Sequence, residues 1–332
     1  MKKLLTGVLI FIGFLFLIFN AGRINYSNQT AVEKKLPRTW PVKSVDTMKY
    51  SRDMALEYQK LESVDEIIDA QVKSISSTGA NYLAIGTPYD EPFIPILKKW
   101  TESARKYRLN IWFRGNFSGW QGWFNHKKIT SNGEHIKLIS EFISKNNDLF
   151  ENGDIFDPCP ECENGGSGDP RDTKRVKEYR NFLINERTAA LAGFQKISKE
   201  VNVVYSMNFD VAKLIMDKET ARALGGLVVI DHYVKSPRKL SEDITYLANE
   251  ADAQILLGEF GAPIPDIHGV FSEQEQADWI NQSLDLISGQ GEVIGLNYWV
   301  SHGGTTAIFN SRNSQKPAAY ILEKYFRLES LP

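Results

Sequence analysis

Cysteine, histidine and net charge are all scarce in this chain. It has two cysteines and five histidines in 332 residues. A structural zinc site needs four ligands, and no H-x-H or H-x-x-E pattern offers a metal to a hydrolase. Net charge is -2, so nothing argues for a nucleic-acid partner. No G-x-G-x-x-G follows the first predicted strand, which weighs against a dinucleotide fold. No low-complexity tract and no repeat beyond a strand–helix period is present. None of this implies a cofactor.

What the chain does have is an apolar start, a regular alternation and many aromatic rings. "MKKLLTGVLIFIGFLFLIFNAG" carries Lys2 and Lys3 ahead of an uncharged run, Leu4 to Phe19. A basic end and an apolar stretch predict a signal-anchor or signal peptide over 1–22, with the basic end inside. Residues 23–38 read as a polar linker. The remainder, 39–332, is then exported, either anchored at the cell surface through the membrane or secreted. Seven Trp, 13 Tyr and 18 Phe fit a large core first, and sugar-stacking surfaces second.

After Trp40 short apolar runs alternate with helix-period segments. Strands are expected at 43–50, 81–86, 109–115, 153–158, 201–208, 227–233, 254–260 and 293–300. Their nearly continuous hydrophobicity suits strands buried on both faces. Ser63, Ser131 and Ser272 each precede a Glu by three residues, the capping-box spacing. Ile68, Val72 and Ile75 form one apolar helical stripe. Gly79, Gly225, Gly226 and Gly291 fall where helices end, as left-handed caps do. A last helix is expected over about 315–327. Eight strand–helix units in one α/β chain predict a (β/α)8 barrel, with an open doubly wound sheet as the alternative.

In such a barrel the chemistry sits at the C-terminal ends of strands. Those ends offer Glu161 and Glu163 after strand four, and Asp231, His232 and Tyr233 on strand six. Glu259 lies at the end of strand seven, and the end of strand eight offers Trp299 and His302. The end of strand three offers Arg114, Asn116 and Trp120, and the end of strand one offers Lys49, Arg52 and Asp53. Glu259, in "ILLGEFG" with Gly258 and Gly261 on either side, is costly to bury without a role or a partner.

"LLGEFG" around Glu259, "DHY" at 231–233 and "NYW" at 297–299 together resemble the retaining (β/α)8 glycoside hydrolases of clan A. The resemblance implies a hydrolase of β-linked carbohydrate that needs no cofactor. It implies Glu259 as nucleophile, Tyr233 as its hydrogen-bond partner beside His232, and Trp299 as a sugar platform. It places the acid/base after strand four, with Glu161 matching better than Glu163. The family usually has Asn directly before that acid. Here Pro160 and Cys162 precede the two glutamates, and Asn164, Asn116 or Asn208 are left to supply the amide. Arg114, Trp120 and His302 complete the expected sugar-binding set. A barrel that binds carbohydrate without cleaving it is the alternative function.

Both cysteines lie in this same loop, as Cys159-x-x-Cys162. A disulfide, a pair of free buried thiols, or a metal or redox pair are the readings open to them. The stretch reads best as a catalytic loop that carries cysteines.

Overall fold

The computed structural model describes residues 39–328. The signal or anchor segment and the linker expected over residues 1–38 lie outside the described residues. Among the described residues no helix is long and apolar enough to cross a membrane.

Nine short parallel strands form one sheet: β1 Val42–Asp46, β2 Tyr82–Ile85, β3 Asn110–Phe113, β4 Ile155–Phe156, β5 Asn202–Val203, β6 Ser206–Asn208, β7 Leu227–Asp231, β8 Gln254–Phe260 and β9 Val293–Tyr298. Their order is β5-β4-β3-β2-β1-β9-β8-β7-β6. The two ends of that row, β5 and β6, are separated in the chain only by Val204 and Tyr205. They are the two halves of the single strand expected at 201–208. One half pairs with β4 and the other with β7, so the sheet wraps into a (β/α)8-like barrel.

Longer helices follow the strands: α1 Val64–Ser77, α2 Ile94–Lys106, α3 Asn132–Lys145, α4 Val176–Lys196, α5 Phe209–Ile215, α6 Pro237–Ala251, α7 Glu273–Ile287 and α8 Pro317–Phe326. The α1 stripe of Ile68, Val72 and Ile75 is buried as expected. The three predicted caps differ. Ser272 and Glu275 form a full capping box. Ser131 accepts from the Glu134 amide only, and Ser63 makes no side-chain cap. Gly79, Gly225 and Gly226 have positive φ, whereas Gly291 does not. The first strand also stops early, because Met48–Ser51 is already helical.

Alternation along the strands builds the barrel interior in layers. Val42, Tyr82, Ala84, Trp112, Ile155, Val204, Val229 and Leu256 form an apolar cluster. One step further along the strands, every other residue brings a polar layer: Ser44, Asp46, Arg114, Asp157, Ser206, Asp231 and Asn297, all buried. Polar groups this deep must be paired. The Asn297 amide donates to Asp46 and to the Gly258 carbonyl, at 2.9 Å each, and Ser44 donates to Asn297. This layer is the floor of the candidate site.

Candidate active site

Glu259 reaches the barrel mouth through an irregularity. Strict alternation on β8 would turn it outward with Ile255 and Leu257, which pack in the outer core. The pairing register with β7 shifts between Ile230 and Asp231, so that Asp231 stands opposite Glu259. The register with β9 shifts as well. A bulge of this kind re-aims a side chain. Gly258 makes the arrangement possible: a Cβ there would lie 2.3 Å from Asp231 Oδ1.

Arg114, fully buried, organises the charges beneath. Its Nη1 donates to Asp46 Oδ2 at 3.2 Å and to the Gly258 carbonyl at 2.7 Å. Its Nη2 donates to Asp231 Oδ2 at 2.9 Å and Ser206 Oγ at 3.2 Å, and lies 3.4 Å from Glu259 Oε1. Tyr233 donates its phenolic proton to Glu259 Oε2 at 2.7 Å. Burial raises the Glu259 carboxyl above the ordinary range, while Arg114, the Tyr233 hydrogen bond and Arg52 pull it back. Asp231 is pushed well up by burial, against the pull of Arg114.

Glu161 follows β4 in the left-handed conformation, φ 45° and ψ 51°. Its amide donates to the Ser206 carbonyl at 2.9 Å. A disulfide joins Cys159 to Cys162 across it, and the Trp120 indole donates to the Cys162 carbonyl at 3.2 Å. The Asn164 amide donates to Glu161 Oε2 at 2.9 Å. Burial and the like charges of Glu259 and Glu163 push the Glu161 carboxyl up to about 7. Burial raises both carboxyls; Glu161 reaches about 7, while at Glu259 the adjacent Arg114 and the Tyr233 hydrogen bond oppose the rise.

Both line one cavity of about 190 Å³, together with Arg114, Arg52, Gln121, Trp123 and Asn164. A larger hollow of about 710 Å³ lies near Tyr89, Phe117 and α3. Its nearest strand-end carboxylate, Asp90, is spent on Ser118 and His126. The smaller cavity is the one that holds two carboxyls from strand ends.

The other sequence-expected residues fall around this cavity in different ways. Glu163 is buried away from it, accepting from the Asn208 amide at 2.8 Å, the Asn208 side chain at 2.9 Å and Tyr179 at 3.2 Å. Asn208 is thereby turned onto Glu163. Asn116 donates to Cys159 Sγ and accepts from His135. Trp120 is a core ring, 1% exposed and stacked on Phe182. His232 stacks on Phe209 and bonds Asp243 at 2.9 Å, while its amide donates to the Glu259 carbonyl. Trp299 meets Tyr233 edge-on, with ring centres 6.1 Å apart. His302 is buried against Phe309. His135, Cys159 and Glu186 place ligand atoms within 4.8 Å of one another, but the Cys159 sulfur is bonded to Cys162.

The fold is similar to that of several solved glycosidases. A β-glucuronidase from Ruminococcus gnavus superposes with TM-score 0.54 at 13% identity, over 79% of this chain and 46% of its own. A β-glycosidase gives 0.56 at 11% identity, over 89% and 98%. A broad-specificity endoglucanase from Clostridium longisporum gives 0.54 at 11% identity, over 78% and 85%. The chain has the fold of the (β/α)8 glycoside hydrolases. It spans less than half the length of the glucuronidase. No protein-family model and no curated protein matches it.

Sequence reasoning chose Trp120 for the site, yet Trp123 is the indole that lines it. The turn Ser118–Gln121 ends at Gly122, φ 76°, which reverses the chain between the two rings. The pair "GWQGW" carried that signal. Gln121 had none, and Arg52 was one of several charged residues after strand one.

Proposed function

We propose that this protein is a retaining glycoside hydrolase acting on a β-linked carbohydrate. The observation that supports it is the shared cavity of Glu161 and Glu259, in which Glu259 meets Arg114 and the Tyr233 hydroxyl while Glu161, pushed up to about 7, meets the Asn164 amide. Glu259 attacks the anomeric carbon while the bond to the leaving oxygen breaks and Glu161 donates its proton to that oxygen. In the second step water attacks the anomeric carbon, Glu161 takes back a proton, and Glu259 is released. Arg114 and Tyr233 hold Glu259 ionised, and Trp299 and Trp123 supply apolar faces for the ring. At about 190 Å³ the cavity is smaller than the ~300–1,000 Å³ typical of larger ligands and suits one sugar ring.

The deciding experiment joins a panel of aryl glycosides to Glu259→Gln and to labelling by 2-deoxy-2-fluoro glycosides. We expect turnover with retained anomeric configuration, loss of about 10⁴-fold in the variant, and covalent label on Glu259. Inverted product or full activity in the variant would overturn the mechanism. A sugar-binding barrel without catalysis is the second reading. It is favoured by Pro160, which stands where the family carries Asn. It predicts sugar binding with no turnover and no label.

We also propose export with membrane attachment, on the strength of Lys2, Lys3 and the run Leu4–Phe19. External protease acting on intact cells should remove the barrel from the membrane fraction. Recovery wholly in the cytosol would refute this.

A further inference from the structure

Arg52 is a cation in the cavity with more hydrogen-bonding capacity than its neighbours use. It closes the short helix Met48–Ser51 after β1. Its Nε donates to Asp53 Oδ1 at 2.8 Å, and its guanidinium carbon lies 4.8 Å from the centre of the Trp123 ring. Among the described residues no acceptor meets its Nη1 or Nη2. Asp53 is also shared with Lys49, whose Nζ lies 3.2 Å from it and 5.4 Å from the Trp299 ring centre. Lys49 and Arg52 thus share one carboxylate at the rim, and Arg52 also acts across the cavity on Glu161 and Glu259 without a hydrogen bond to either. Arg114 is the opposite case, since both its Nη atoms are bonded to acceptors in the floor.

The cavity also holds Glu161 and Glu259. An anionic ligand between two carboxyls is repelled unless a cation meets it. The uncharged amides at the wall, Gln121 and Asn164, already donate to the Pro160 carbonyl and to Glu161 Oε2. A planar guanidinium fixed on an indole face, with its fork unspent, matches a carboxylate or sulfate in bidentate geometry. We propose that Arg52 recognises an anionic substituent on the bound sugar. The substrate is then an acidic glycan, carrying either a uronate carboxylate or a sulfate ester. This rests on the glycosidase reading for turnover but not for binding.

The test separates the two. Calorimetry on the wild-type protein compares D-glucuronate, glucose 6-sulfate and glucose. We expect at least one anion to bind ~10-fold or more tighter than glucose, and the stronger of the two identifies the substituent. Arg52→Gln should erase the difference, and Arg52→Lys, which keeps the charge without the fork, should restore part of it. With aryl glucuronide and aryl glucoside as paired substrates, the ratio of their kcat/KM values should fall on the order of 100-fold in Arg52→Gln. Most of that change should lie in KM, as for lost ground-state binding. Glucose binding as tightly as both anions would overturn the proposal. So would an equal loss for both substrates with a shifted pH profile, because Arg52 would then only tune the glutamates. Arg52-dependent binding of an anion without any turnover or label on Glu259 would uphold the site and refute the glycosidase.

Discussion

The phenolic oxygen of Tyr233 lies 2.7 Å from Glu259 Oε2, and Arg114 Nη2 lies 3.4 Å from Oε1 of the same carboxylate. Each oxygen of Glu259 therefore has its own partner, one a hydrogen-bond donor and one a full charge. Removing the first leaves the second in place. Tyr233→Phe should lower kcat by roughly 10–100-fold while the fold stays intact. The hydrogen bond lowers the Glu259 pKa, so its loss raises that pKa. The acid limb of the rate profile should then move to higher pH; an unmoved limb would deny the contact any role in holding Glu259 ionised.

Glu161 and Glu163 should part company under substitution. Glu161 lines the cavity, whereas Glu163 is locked by three donors elsewhere. Azide should restore turnover of good-leaving-group substrates in Glu161→Ala, because the anion replaces the activated water. Glu163→Ala should gain nothing from azide and instead lose about 1–3 kcal/mol of stability, as buried donors are left unpaired. Rescue confined to the Glu163 variant would reverse the assignment.

Activity should fall as pH rises through about 7, because Glu161 must be protonated to donate and its carboxyl sits up to about 7. It should fall again on the acid side as Glu259 protonates. Glu161→Gln should abolish the alkaline limb; a limb that survives belongs to another group.

Stability has its own pH dependence. Burial pushes the Asp157 carboxyl up to about 7, although Ser206 and Cys159 donate to it. A folded pKa above the unfolded one means stability present at low pH and lost as pH climbs through the folded value. The melting temperature should drop by roughly 5 °C or more between pH 5 and 8. Asp157→Asn should flatten that slope, and an unchanged slope would place the effect elsewhere.

The Cys159–Cys162 bridge encloses Pro160 and Glu161. A ring this short constrains little of the unfolded chain, so its main effect is local. Replacing both cysteines by serine should cost roughly 10–100-fold in kcat through a misplaced acid. Labelling of Glu259 by activated fluoro-sugars should persist. Full activity would show that the Ser206 and Trp120 contacts hold the loop without it.

The order of strands and helices was legible along the chain because it rests on local patterns. Continuous apolar runs, the α1 stripe and the Ser272 cap are properties of neighbours in sequence. Even there the local pattern is not always realised. Ser63 has the capping spacing but makes no cap, and Thr47 donates to the Ala84 carbonyl as β1 gives way to a helix.

Placing Glu161 and Glu259 near strand ends was also within reach of the sequence, since it needs only the count of strands and the barrel rule. Which way each side chain turns was decided by packing. Glu259 faces the cavity because β8 bulges where Gly258 passes Asp231. Glu163, two residues from Glu161, faces Asn208 and Tyr179 because the left-handed step at Glu161 reverses the loop between them. Trp123 rather than Trp120 enters the cavity because Gly122 turns the chain. A strand pattern repeats every two residues, so a single extra or reversed residue exchanges inside for outside. That exchange depends on partners far away in the chain.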